Sequence, residues 1–368
     1  MSNNQKIGHR EVLTMLTILM SAKVFLTFPQ DMTLLGGAAS WMIILFAGIF
    51  NLIGFYFLYS IIQKYPSRNI IQISRELAGK ICGTILGILL FALFLILTAL
   101  MLRKFAESFI LAILPRTPIS LIMIAFLVLL IYATMLGIET LSRVAWFFGP
   151  YLLIALLTIL FFSLPQGSLP NLMPILGPGP LPILKQSINH ISIFSEIILL
   201  GLIAPLIRQQ DKIFRVGLYS IIIATFINVV VTLTTVFVFN YEAASRIIFP
   251  IFQLARLITY GEFIQRVEAV FVFLWFFTAG IQLGGLFYGS VISFAEAFQI
   301  KEYRPLALPI AVIVLCISIL PASMTDTVIL NDFWLSKFYW GISFGIPLLL
   351  WLIAILSKKG RRVNQQNG

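Results

Sequence analysis

Charge is scarce in this chain: Asp, Glu, Lys and Arg make up 11% of the residues, against 60% apolar and 14% aromatic. With a mean hydropathy of +1.02, this excludes a water-soluble domain, in which about a quarter of residues are charged. Cysteine and histidine are nearly absent, at two each. Cys82 and Cys316 are too distant in sequence for a disulfide framework or a metal pattern, and two histidines argue against a metalloenzyme. There is no nucleophile elbow, phosphate-cradling glycine loop or His and carboxylate metal spacing. His190, Ser192 and Glu196 share one helix, which cannot by itself supply the three-dimensional geometry of a catalytic triad. Neither an enzyme nor a bound cofactor is expected. The first apolar stretch lacks a short core followed by a small-residue cleavage site, so it is expected to stay in the mature chain.

What is present is long apolar sequence. Crossing about 30 Å of hydrocarbon takes about 20 apolar residues, and about ten such stretches predict an all-α polytopic membrane protein. They run near 12–35, 40–63, 83–111, 118–137, 144–164, 186–207, 213–239, 264–297, 305–322 and 338–357. The third and eighth exceed one bilayer width and must tilt or project beyond it. The uncharged, Pro- and Gly-rich segment LPQGSLPNLMPILGPGPLP (164–182) separates the fifth span from the sixth. It predicts a first repeat over 12–164, a linker over 165–185 and a second repeat over 186–357, followed by a basic tail over 358–368. Five spans per half would place the halves in opposite orientations, as an inverted repeat.

The net charge of +11 is distributed as topology rather than as a nucleic-acid surface. With the N-terminus inside, the cytoplasmic segments collect Lys6, Arg10, Lys64, Arg68, Arg75, Lys80, Arg143, Arg208, Lys212, Arg215, Lys301, Arg304 and the tail KKGRR. The opposite side keeps Arg116, Lys185, Arg246, Arg256, Arg266 and Lys337. That asymmetry follows the positive-inside rule and puts both termini in the cytoplasm. The partner these charges imply is therefore the lipid bilayer, and no nucleic acid.

Two spans carry polar side chains near mid-bilayer, at the starts of the two halves: SAKVFLTFP (21–29) and NHISIFSE (189–196). Ionisable groups at that depth are expensive and mark ligand or ion pathways, and interrupted spans at matching positions of two halves point to a transporter-type site. Counting from Val12, Lys23 lies about 16 Å deep, beyond the reach of a stem of about 6 Å that could snorkel to water. It is either half of a structural ion pair or a functional ammonium facing a ligand or replacing a coupling cation. Pro29 disturbs the helix nearby, and unwinding there would free carbonyls to line a cavity. Asn189, Ser192 and Glu196 fall on one helical face, beside His190 and Ser195. Asn189 and Ser192 can be helix glue, but Glu196 must be paired, protonated or hydrated. A Lys23 and Glu196 pair is expected, direct or through a ligand's carboxylate and amine.

Other polar residues read more simply. Arg103 and Glu107 can pair along the third span, near its outer, watery end, with Lys104 and Ser108 alongside. Glu268, Trp275, Gln282, Gly289 and Glu296 recur every seven residues in the eighth span, with Thr278 close by; this face either packs in the core or lines the site opposite the first span. Asn51 and Asn228 are expected as helix glue, and the outer segment 240–263 as apolar enough to lie along or dip into the outer face.

Several stretches resemble one family: KVFLTFPQD (23–31), YPSRNIIQISRELAGKICG (65–83), LRKFAESF (102–109), GIETLSR (137–143), NLMPILGPG (171–179) and, most specifically, FPIFQLARLITYGEFIQRVEAVFVFLWFF (249–277). Over nearly its whole length the chain resembles the B subunits of nutrient germinant receptors of endospore-forming bacteria, the spore germination permeases of the amino acid, polyamine and organocation transporter superfamily. The resemblance implies a transporter-like bundle of ten spans in two inverted repeats, with the first and sixth unwound around a small-nutrient site flanked by the third and eighth. It implies ligand contacts from Lys23, Val24, Phe25, Thr27, Thr98, Met101, Ser192, Ser195, Glu196, Thr278 and Gln282. It also implies action in the spore inner membrane with a larger membrane-embedded A subunit and a lipoprotein C subunit, sensing an amino acid or similar nutrient to trigger germination. Where transporters of this superfamily commonly carry small, glycine-rich sequence at the first break, this chain has Lys23. A permease that transports its ligand is the alternative function.

Overall fold

The computed structural model describes residues 6–258, 267–334 and 338–356. Among these every regular element is a helix, apart from an isolated parallel bridge between Ile7 and Ile207. Among the described residues, seven helices are long and apolar enough to cross a membrane, or eight if the bent pair 304–319 and 324–331 is counted as one span. The shortfall from ten has a physical origin. The first expected span is broken into α1 (His9–Ser21) and α2 (Phe28–Gly36), and the last ends in the short α14 (Ile346–Leu356).

Between them run α3 (Ser40–Lys64), α4 (Ile70–Ala112), α5 (Ile119–Leu136), α6 (Ile138–Ser163), α7 (Pro180–Asn189), α8 (Ile198–Ile203), α9 (Ile213–Ala244), α10 (Pro250–Leu257), α11 (Val267–Ala297), α12 (Ala307–Ile319) and α13 (Met324–Trp334). Starts and stops follow local chemistry. The Glu11 carboxylate accepts from the Gly8 amide at 2.9 Å, and Asn69 and Gln72 cap each other's amides at 2.9 and 3.3 Å, satisfying donors that have no partner inside the helix. Proline opens α7 and α10 in the first turn, where its missing donor costs nothing. Gly37, at φ +56, ends the first span, a conformation that side chains with a Cβ rarely adopt.

Three expectations need revision. The polar stretch 64–82 is not a plain break: residues 70–78 are helical, and Gly79 at φ +92 turns this segment back over the rest of α4. A methyl group on Gly83 would fall 2.7 Å from Arg75 Cβ, so the fold-back depends on glycine there. The sixth span opens at Pro180 rather than 186, which shortens the linker. Arg103 and Glu107 do pair, at 2.7 Å, but their side chains are only 9% and 12% exposed, in protein rather than near water. The side chain of Glu268, together with Arg266, Lys337 and the tail 358–368, lies outside the described residues.

The bundle has two faces. On one, Ser168 N donates to Phe237 O and Gln166 Nε2 to Leu257 O, binding the linker to the ends of α9 and α10. On the other, Ile7 N donates to Leu206 O at 2.8 Å, Arg208 N donates to Ile7 O at 3.0 Å, and Arg75 reaches the end of α11. The segment 240–258 turns inward: Ile251, Leu254 and Ala255 of α10 are buried, and Phe252 packs on Phe271 at 5.3 Å. The heptad face of α11 is largely packing. Trp275 stacks on Phe109 at 4.6 Å, and Gly289 lies against Phe94.

Candidate functional site

The two unwound segments, 22–25 after α1 and 191–197 between α7 and α8, are each a short stretch of 3-10 helix. Ending a helix in the middle of a bundle strips its last carbonyls of intrahelical donors, and in a buried setting each must find another. The carbonyl of Leu19 accepts from Gln282 Nε2 at 3.1 Å and that of Met20 from Asn228 Nδ2 at 3.4 Å. In the other segment, Ile191 O accepts from Asn51 Nδ2 at 2.9 Å, and Ile193 O accepts from the Lys23 ammonium. Three side-chain amides and one ammonium thus hold open the breaks at matching positions of the two spans.

Lys23 also closes the expected pair. Its Nζ lies 3.0 Å from Glu196 Oε1 and 3.4 Å from Oε2, with the two residues 8% and 3% exposed. The rings of Phe194 and Phe28 approach the ammonium at 5.6 and 6.0 Å, adding cation–π attraction in a desolvated place. Burial of both ions is offset by this pairing together with the carbonyl bond.

The pair forms the floor of a cavity of about 430 Å³ that extends toward the linker face, within the range of small-molecule sites of about 300–1,000 Å³. Its polar wall carries Lys23, Glu196, Thr27, Asp31, Lys104, His190 and Asn331, and its apolar wall includes Leu26, Phe28, Met32, Leu97, Met101 and Ile193. Thr27 Oγ1 donates to Asp31 Oδ2 at 2.8 Å. Charges of both signs in a largely apolar chamber suit a ligand that carries both signs itself.

Residues 6–327 match the family described as spore germination protein. The chain belongs to that family. It is similar to spore germination protein KB of Bacillus subtilis (strain 168), 25% identical over 97% of this chain and 96% of that one. It is also similar to spore germination protein A2 of the same organism, 25% identical over 91% of each. Among solved structures, Mhp1, a nucleobase-cation-symport-1 family transporter in a closed conformation with bromovinylhydantoin bound, aligns with a TM-score of 0.67 at 13% identity, over 98% of this chain and 96% of that one. MhsT in complex with L-phenylalanine aligns with a TM-score of 0.68 at 15% identity, over 96% and 94%. The fold of this chain is thus an all-helical, transporter-like membrane bundle with broken first and sixth spans.

Of the residues expected from sequence, Lys23, Thr27, Met101 and Glu196 line the cavity. Val24, Thr98, Ser192 and Ser195 are buried behind it, and Thr98 Oγ1 bonds its own helix at Phe94 O, 2.6 Å away. Phe25 and Thr278 instead line a separate apolar cleft of about 280 Å³ beside α1 and α6. Gln282 supports the break from behind through Leu19. Asp31, Lys104 and Asn331 were missing from the expected set. Asp31 stands one turn beyond Thr27, a spacing that could have flagged it. Lys104 was obscured by the neighbouring Arg103 and Glu107 pair. Asn331 comes from α13, in a segment between the ninth and tenth spans, and only tertiary structure brings it to the wall.

Proposed function

We propose that this chain is the nutrient-sensing subunit of a spore germinant receptor, binding an amino acid or similar small nutrient in the cavity above Lys23 and Glu196. The observation that carries this is the cavity itself: a chamber of about 430 Å³ with two basic and two acidic side chains, at the meeting point of two unwound spans. Membership of the germination family supports the biological role. The ligand biases the bundle toward one arrangement through its differential affinity for the two, and passes that bias to a larger membrane-embedded A subunit and a lipoprotein C subunit in the spore inner membrane. In this reading both termini are cytoplasmic, and residues 12–164 and 186–357 are the inverted repeats. The Lys23 ammonium, seated on the Ile193 carbonyl, takes the position in which a coupling cation would otherwise meet unwound backbone.

A second reading, transport of the same ligand, is favoured by the two transporters of similar fold. A binding screen of the purified protein against amino acids, nucleosides and sugars, repeated with Lys23→Met, tests the site. Saturable binding of an amino acid by the native protein and its loss in the variant are expected; binding unaffected by Lys23→Met would overturn the assignment. Uptake of radiolabelled amino acid into vesicles holding this chain alone would replace sensing by transport.

A further inference from the structure

A second cavity, of about 530 Å³, lies on the terminus face, between the start of α4 and the end of α11. We propose that it binds the phosphodiester group of an anionic phospholipid. The site is built by the fold-back of α4. Gly79 reverses the chain, and Gly83 and Gly87 clear room for Arg75 and for Ala297 at the end of α11. Arg75 Nη2 then donates to the carbonyls of Glu296 and Ala297, at 3.1 and 3.2 Å, the acceptors that a helix C-terminus leaves unsatisfied and that favour a cation. This holds the guanidinium in the cavity wall, with its Nε buried and without a hydrogen-bond partner among the described residues.

Arg68, from the turn before α4, and Lys301, after α11, bring two more cations to the same wall. Two carboxylates oppose them: Glu296, which accepts from Gln72 Nε2 at 3.1 Å, and the exposed Glu76. Three cations against two carboxylates leave one positive charge, which matches a phosphodiester monoanion better than a dianionic phosphate. Glu76 is placed to accept from a headgroup hydroxyl. Basic pockets at helix ends on a membrane surface have this chemistry, and arginine recognises phosphate oxygens through paired donors.

The apolar surroundings specify a lipid rather than a soluble phosphate. Ile81, Ile85, Ile88 and Leu89 are exposed on α4 at spacings of four, three and one, a single helical stripe running from the fold-back toward the bilayer interior. Exposed Phe298 and Ile300 lie beside the opposite wall, and Ile300 itself lines the cavity. A headgroup in the cavity would lay its acyl chains along this stripe.

Native mass spectrometry of the purified full chain, with phosphatidylglycerol, phosphatidylethanolamine or phosphatidylcholine added to the detergent, tests the proposal. Preferential retention of phosphatidylglycerol is expected. Arg68→Ala, at an exposed position, should weaken it about fivefold, the equivalent of about 1 kcal/mol for one interfacial cation. Equal retention of the three lipids, or retention unchanged by Arg68→Ala, would overturn the proposal. Thermal stabilisation by inorganic phosphate equal to that by phosphatidylglycerol would assign the cavity to a soluble phosphate instead.

Discussion

Lys23 Nζ and Glu196 Oε1 stand 3.0 Å apart across the two unwound segments, and the same ammonium bonds the carbonyl of Ile193. One side chain therefore neutralises a buried carboxylate and satisfies a buried carbonyl, and these roles separate by mutation. Lys23→Met leaves both partners unpaired and is expected to cost about 3–5 kcal/mol, as for removal of one half of a buried ion pair. Adding Glu196→Gln removes the stranded charge but not the orphaned carbonyl, so about 1–3 kcal/mol of the loss should remain. Exchanging the two charges should rescue only in part for the same reason, since a glutamate at position 23 has no proton to donate to Ile193. Thermal unfolding of the detergent-solubilised single and double variants reads the cycle; additive losses would show that the pair has no coupling.

The support of the first break gives a second prediction. Gln282 and Asn228 donate to the carbonyls of Leu19 and Met20, while their own amide oxygens have no hydrogen-bond partner among the described residues. Only the donor half of each amide is in use. Gln282→Leu should cost about 1–3 kcal/mol through the stranded carbonyl. Gln282→Glu should cost more, because it loses the donor and adds an uncompensated buried charge. Faster amide hydrogen exchange over residues 19–25 in both variants is the local signature to measure.

The reason for that arrangement was only half visible in the sequence. Lys23 and Glu196 stood out because charge in an apolar run has few explanations, and the length of the runs predicted the bundle. Gln282, by contrast, sits on a seven-residue polar face that reads equally well as packing or as a ligand wall. Its task is to serve a carbonyl 263 positions away in the chain, and no local pattern encodes that. Asn331 is hidden for the same reason, as is the fold-back of α4. There YPSRNIIQISRELAGKICG reads as a polar interruption until Gly79 is seen to turn it onto Gly83.

That fold-back separates two kinds of glycine requirement. Gly79 has φ +92 and no atom near the position of a Cβ, whereas at Gly87 a methyl group would fall 2.6 Å from Ala297 Cβ. Gly79→Ala should therefore cost about 1 kcal/mol or more through backbone conformation alone, with no change in helix packing. Gly87→Leu should force α4 away from α11, at about 1–3 kcal/mol for an overpacked contact. Cysteine crosslinking between residues 84 and 297, where Thr84 Oγ1 meets Ala297 O at 3.4 Å, should persist in the first variant and fall in the second.

The cavity proposed to hold the nutrient has a lining that sets what such a ligand must carry. Besides the Lys23 and Glu196 pair, the wall carries Lys104 and Asp31, and the Lys104 ammonium is the group expected to meet a carboxylate on an incoming molecule. An amino acid offers a carboxylate and an ammonium; its amide keeps only the ammonium, and a sugar offers neither. Isothermal titration should rank amino acid above amide in the native protein. Lys104→Met should lower amino acid affinity about tenfold or more, as expected for a hydrogen bond to a charged group of about 1.5–3 kcal/mol, and bring the two ligands to near equality. High salt should change these affinities little, because screening acts weakly on buried charges. An amino acid and its amide that bind equally to the native protein, or a preference that survives Lys104→Met, would remove Lys104 from the recognition step and leave the floor pair as the polar anchor.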